Sequence, residues 1–379
     1  MTLLDIRLAD IRFLFGFVLL VTGLLFPEEK ILISGVPFTW VIIGACLLLL
    51  FGRIITTEEK NILFKYFIVL GLILILSFLA NVPNWDLFFL RYLPVIITVP
   101  VAFLLLNCIN EHKLIVSLFY FCSVLSVIFV AYRLVQLDFS REGFFIGFGP
   151  IVFSRLMAVG ILASMFFKKN LAEKVLLGCL ILSILIGQSR GPMLFLVIAV
   201  LYFLFEKGLS ARQLILILLL SPLLLLNERF LSFVSVDLSS FTSISAEELT
   251  NSFIEDDGDI DGTLTRLIIY YQSFTLIADN LLFGVGIGNW GKETGLEVYE
   301  YPHNILLEVF SEFGILGFIL LIIFIFRLLN TTPSFCKYVA LFYLMNSMVS
   351  GSIRDFRYVI VFALIAFFIN SYFKKEWKS

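Results

Sequence analysis

Gly284-Val285-Gly286-Ile287-Gly288-Asn289-Trp290 leads, through Tyr301-Pro302-His303-Asn304-Ile305-Leu306-Leu307-Glu308, into Glu312-Phe313-Gly314-Ile315-Leu316-Gly317 and an apolar run over 313–329. A polar, glycine-rich loop therefore runs straight into a segment long and apolar enough to enter a bilayer. The chain contains two histidines, and one of them stands at this junction. That combination predicts a membrane helix with chemistry at its outer end.

The rest of the chain agrees with a membrane setting. Of its 379 residues 60% are apolar and 15% charged, and the mean hydropathy is +1.03, too apolar for a water-soluble core. Apolar runs recur from end to end, about twelve in number: roughly 11–27, 36–52, 62–82, 88–108, 114–136, 150–167, 175–189, 191–206, 211–226, 313–329, 337–353 and 357–373. None alternates like a barrel strand, and backbone groups in lipid need internal partners, so the expected fold is all-α, a polytopic membrane bundle. Asp5, Arg7, Asp10 and Arg12 precede or open the first run, and no small-residue cleavage site ends it, so it reads as an uncleaved first helix.

Three sections follow: helices 1–9 over 1–226, one long loop over 227–302, and helices 10–12 over 303–379. With both termini cytoplasmic, the inner loops collect Arg53, Lys60, Lys113, Lys168, Lys169, Lys174, Lys207, Arg212, Arg327 and Lys337, and the loop over 227–302 is extracytoplasmic. Arg91, Arg133, Arg141, Arg155, Arg190, Arg229, Arg266, Arg354 and Arg357 run against this bias, falling on the outer side or in outer halves of helices. Arginine near lipid is costly and needs partners or a purpose. Its planar fork suits phosphate oxygens, which makes a pyrophosphate ligand a candidate. The same residues could instead pair with Asp86, Glu142 or Asp355, or snorkel to the interface.

Within the long loop, Glu255-Asp256-Asp257-Gly258-Asp259-Ile260-Asp261 lacks the glycine position and distal glutamate of a calcium-binding loop and reads as a solvated stretch, so no metal site is expected. From Thr263 helical spacing sets in: Leu264, Leu267, Ile268, Tyr271, Phe274, Thr275 and Ala278 on one face, Arg266, Tyr270, Ser273 and Ile277 on another. Such a helix would lie on the membrane or over the mouth of the bundle. Gly284, Gly286 and Gly288 follow a helix rather than a strand, so they form no dinucleotide fold, but they would let backbone amides approach an anion or sugar. Pro302 suits a first helical turn and would put His303 and Asn304 at a helix N-terminus, where an anion is favoured. Asn304, Glu308, Ser311 and Glu312 then share one face, and carboxylates descending into lipid should point inward. His303 could take a proton from a sugar hydroxyl or could simply be an interfacial cap. Cys46, Cys108, Cys122, Cys179 and Cys336 have no metal-ligand spacing and read as small buried hydrophobes. With no nucleotide fingerprint, a net charge of -2 and no basic patch, nucleic acid is not an expected partner.

Arg266, Ala278-Asp279-Asn280-Leu281-Leu282-Phe283-Gly284-Val285-Gly286-Ile287-Gly288, His303-Asn304 and Glu312-Phe313-Gly314-Ile315-Leu316-Gly317, together with Gln188-Ser189-Arg190-Gly191, resemble the O-antigen ligase and Wzy-type polysaccharide polymerase superfamily. The likeness covers 188–191 and 263–317. It implies a GT-C-like membrane glycosyltransferase whose outer loop before the tenth helix covers a cavity for an undecaprenyl-pyrophosphate-linked glycan, in a bacterial cytoplasmic membrane. By that resemblance Arg190 and Arg266 match pyrophosphate-binding arginines and His303 a required loop histidine. Arg91 and Arg155 are further candidates for the pyrophosphate, Glu308 is the rival base, and Tyr270, Asn304 and the three glycines would line the loop and acceptor site. The carrier pyrophosphate is already activated, so no cofactor is expected. The expected partners are the lipid-linked donor, bilayer lipids, a glycan acceptor (a lipid-linked repeat or a lipid A core) and a chain-length regulator. A polymerase is favoured over a ligase. A lipid-linked oligosaccharide flippase would also have about twelve helices and buried arginines, but the two halves show no internal repeat.

Overall fold

Apolar side chains at almost every helical position leave the backbone to satisfy itself within each segment, and helices result. The computed structural model describes residues 3–25, 32–33, 36–51, 53–106, 111–136, 149–187, 189–208, 262–296 and 301–376. In chain order the helices are α1 (Leu3–Leu25), α2 (Phe38–Leu50), α3 (Thr57–Ala80), α4 (Trp85–Leu87), α5 (Leu93–Leu106), α6 (Glu111–Gln136), α7 (Pro150–Ser164), α8 (Leu171–Gly187), α9 (Arg190–Glu206), α10 (Gly262–Asp279), α11 (Trp290–Thr294), α12 (Ile305–Leu329), α13 (Phe335–Ser350) and α14 (Ile353–Glu376). Two two-residue strands, Leu32–Ile33 and Val36–Pro37, pair antiparallel between α1 and α2. The expected run 211–226 and the acidic stretch 255–261 lie outside the described residues, as do Gln188 and Cys108. Every other expected run falls on a helix.

Among the described residues three helices are long and apolar enough to cross a membrane: Thr57–Ala80, Glu111–Gln136 and Ile305–Leu329. Phe64, Phe67, Ile68, Ile75, Phe78 and Leu79 of α3 are exposed, as lipid-facing residues should be and as core residues would not be. Inside the bundle α5 is the hub, touching α1, α2 and α14, while α6, α7 and α8 pack on one another and α13 joins α14 to α9. Cys46, Cys122 and Cys336 are buried free thiols within this packing.

Two local irregularities position the site. Between α4 and α5 the chain makes a π-turn over Phe88–Tyr92, closed by the Leu93 amide donating to the Phe88 carbonyl. Pro94 follows and has no N–H to continue the ordinary ladder, which favours the wider turn there. The second irregularity is Gly314, where α12 breaks with φ 63° and ψ −163°. The expected span 313–329 therefore begins earlier, at Ile305, and is hinged. Its first half, with Glu308, Ser311 and Glu312 buried, is held inside the protein, where hydropathy alone gave no helix.

Candidate active site

The broken helix and the glycine loop complete each other's hydrogen bonds. The Val285 and Gly286 amides donate to the carbonyls of Ser311 (2.8 Å) and Glu312 (3.0 Å), and the Ile315 amide donates to Leu281 O (2.8 Å). A Cβ on Gly284, where φ is +71°, would stand 2.5 Å from Ser311 O and 2.6 Å from Phe313 N. Only glycine allows this approach. The Ile287 amide donates to Ser77 Oγ (2.8 Å) and its carbonyl accepts the Asn84 amide (2.9 Å), so the loop also ties down the end of α3 and the start of α4. Residues 284–291 are all buried. The expectation that Gly284, Gly286 and Gly288 open the backbone to an anion is therefore replaced: the Val285, Gly286 and Ile287 amides are spent on protein acceptors, and the glycines clasp the loop to α12.

That clasp seats α10. Ile268, Ile269, Leu276, Val285, Trp290 and Leu296 form a separate apolar cluster with Tyr270 packed against it, and Trp290 Nε1 donates to Ser273 Oγ at 3.0 Å. Ser273 and Ile277, read from the sequence on the same face as Arg266, are on the protein side, whereas Leu267, Tyr271 and Phe274 are exposed. In a membrane both faces of such a helix can be apolar, so spacing alone does not say which one meets protein. Arg266 is exposed and makes no ion pair among the described residues.

Beside it the ends of several helices converge. Arg91, from the π-turn, forms a buried ion pair with Glu308, and its guanidinium lies over the Tyr301 ring at 4.8 Å. Glu308 also accepts the Ile353 amide through Oε2 (3.0 Å), which pins α14 to α12. One turn deeper the Tyr92 hydroxyl donates to Glu312, so both inward carboxylates are met by consecutive residues of the π-turn. Asn304 caps α12 through Oδ1, which accepts from the amides of Leu306 (2.9 Å) and Leu307 (3.3 Å). Pro302 and His303 consequently stand before the helix rather than in its first turn. His303 is left-handed (φ 54°), alone among the described non-glycine residues, with its ring 4.4 Å from that of Tyr301. Non-glycine residues in this region are uncommon and concentrate at functional sites.

The surroundings of His303 favour its neutral form. Burial, and then the guanidinium groups of Arg266 and Arg91, depress its pKa below the usual 6.5, against a smaller upward pull from Asp355. Arg155 serves the same end of the bundle differently. It donates to the backbone and hydroxyl of Ser350 (2.8 Å each) and lies 3.4 Å from Asp355, bracing the turn between α13 and α14. Arg190 is exposed at the N-terminus of α9 and makes no ion pair among the described residues. The structure therefore brings together Arg91, Arg266, His303, Glu308 and Asp355, with Arg155 behind them. Tyr92, Tyr301 and Asp355 escaped selection as site residues because each becomes significant only through a partner distant in the chain.

Part of this arrangement, with the clasped loop, His303 and the inward carboxylates, lies in a stretch found by comparison with known families. Residues 175–322 match the O-antigen ligase family. This match supports the resemblance to the O-antigen ligase and polymerase superfamily suggested by the motifs. Together with the apolar helices, the match supports an integral membrane protein of the O-antigen ligase and polymerase kind. Comparison with curated proteins found no match. The O-antigen ligase stretch contains Arg190, Arg266, the glycine clasp, His303, Glu308 and Glu312, but Arg91, Tyr92, Arg155 and Asp355 lie outside it.

Proposed function

We propose that this protein is a metal-independent glycosyltransferase that moves undecaprenyl-pyrophosphate-linked oligosaccharide onto an acceptor sugar at the outer face of a bacterial cytoplasmic membrane, acting as a polysaccharide polymerase. The observation that carries the reading is the left-handed turn at His303, where burial and the nearby guanidinium groups of Arg266 and Arg91 favour a neutral imidazole. The acceptor hydroxyl attacks the anomeric carbon of the donor, its proton passes to the imidazole, and the bond from that carbon to the pyrophosphate oxygen breaks. The leaving polyprenyl pyrophosphate gathers negative charge, which arginines in a cleft of low dielectric stabilise. Arg266 is the leading clamp residue because its fork is uncommitted among the described residues, with Arg190 as its expected partner. Arg91 adds positive potential while bound to Glu308, and Arg155 supports from behind through Asp355.

Glu308 is the weaker base, since one carboxylate oxygen faces Arg91 and the other holds the Ile353 amide. It is assigned instead as a positioning residue. In this reading about twelve helices cross the membrane, both termini are cytoplasmic, and the segment 227–302 is extracytoplasmic. A ligase that transfers finished polymer to a lipid A core is the second reading, favoured by the description of the matched family. Deleting the gene and sizing surface glycan separates the readings. A single repeat on its anchor is the result expected of a polymerase. Polymer stranded on carrier lipid would make the protein a ligase, and absence of outward glycan would make it a flippase.

A further inference from the structure

Away from the reacting groups, α3, α5, α12 and α14 enclose a cleft of about 250 Å³ whose walls are almost wholly apolar. One end lies under the site, at Tyr92, Phe313 and Ile353. At the other stands Arg327, in the last turn of α12 and so at the opposite end of that helix from Glu308. Lys65 also lines the cleft, although it sits within the membrane-length helix Thr57–Ala80. Both cations are exposed, and none of the described residues lining the cleft is acidic. Lys65 makes no ion pair among the described residues, and Arg327 lies over the Phe367 ring, 5.2 Å away.

Basic side chains inside a membrane segment are costly, and they mark ligand paths or pair with an opposite charge. One lysine could snorkel to the interface. Two cations bordering one apolar cleft, without a carboxylate, are matched by an anionic headgroup followed by a hydrocarbon chain. We propose that the cleft seats an anionic phospholipid, its phosphate between Lys65 and Arg327 and its acyl chain running past Val69, Leu320 and Phe324 toward Phe313. Polarity selects this occupant over the carrier lipid of the donor. A polyprenyl chain descending from the site would bring hydrocarbon to both charges, whereas the reverse orientation sets charge against charge. The phospholipid thus enters from the leaflet opposite the reacting groups.

The test is lipid binding to the purified full chain by native mass spectrometry, with phosphatidylglycerol and phosphatidylcholine as probes. The wild type should retain phosphatidylglycerol in preference to phosphatidylcholine. At about fivefold per basic side chain, the usual scale for such a contact with anionic lipid, Lys65→Gln with Arg327→Gln should weaken phosphatidylglycerol binding about 25-fold and leave phosphatidylcholine unchanged. Leu320→Trp, which fills the cleft, should displace both lipids; Ile323→Trp serves if that variant does not fold. Equal affinity of the wild type for the two lipids, or phosphatidylglycerol binding indifferent to the two Gln substitutions, overturns the proposal. So does displacement of phosphatidylglycerol by undecaprenyl phosphate whose own affinity ignores Lys65 and Arg327, because the cleft would then be the donor's. No glycosyl transfer enters the measurement, so it stands apart from the proposed reaction.

Discussion

Replacing Glu308 tests whether the buried carboxylate positions the site or reacts in it. Its side chain is fully buried, opposite an Arg91 that is 2% exposed, and its second oxygen holds the Ile353 amide at 3.0 Å. Removing one member of a buried ion pair leaves the other uncompensated and costs about 3–5 kcal/mol. Glu308→Gln keeps an acceptor for Ile353 and should cost that amount. Glu308→Ala should cost about 1–3 kcal/mol more, because the Ile353 N–H loses its partner. Arg91→Met alone should match Glu308→Gln, but combined with it the losses should fall short of their sum by about 2 kcal/mol, the coupling expected of residues in direct contact. Unfolding in mixed micelles, followed by tryptophan fluorescence, gives the four free energies, and turnover per folded enzyme is measured alongside. Additivity to within about 0.5 kcal/mol would refute the pairing argument. A Glu308→Gln enzyme as stable as the wild type but without turnover would return Glu308 to the role of base.

The imidazole gives a pH signature. Because its pKa is depressed, His303 is neutral at pH 7, and turnover should fall only as pH drops below the ordinary histidine range; His303→Ala should be about a hundredfold slower and lack this acidic limb. Persistence of the limb in His303→Ala would assign it elsewhere. Arg266→Lys keeps the charge but loses the bidentate fork, so transfer should drop about 10- to 100-fold with expression unchanged, this residue being exposed; near-native turnover would remove it from the clamp. Gly284→Ala should cost more than about 3 kcal/mol, since strain at positive φ adds to collision with the backbone of Ser311 and Phe313. Gly295→Ala has the same φ of +71° but open space around it and should cost only about 1–2 kcal/mol; equal losses in the two variants would mean that the clasp carries no packing energy.

The sequence by itself determined the helical membrane class and most helix positions, although α1 and α12 each begin eight residues before the expected runs, and it pointed to the start of α12 as the candidate site. Hydropathy and helical spacing are local properties, and His303, Asn304, Glu308 and Glu312 are close neighbours along the chain. It also placed Glu308 and Glu312 on an inward face, since carboxylates cannot face lipid. Their partners were decided only by the tertiary structure. Tyr92 and Glu312 are 220 positions apart, and neither the π-turn that brings Arg91 and Tyr92 to them nor the break at Gly314 has a periodicity to read. The glycine loop was legible as a place of close backbone approach, but what approaches it is the opened backbone of α12, because a helix broken within the protein must have its freed carbonyls met. The protein-facing side of α10 likewise became visible only once Trp290 was seated on Ser273, since hydropathy reports the solvent a side chain tolerates and not the surface it meets.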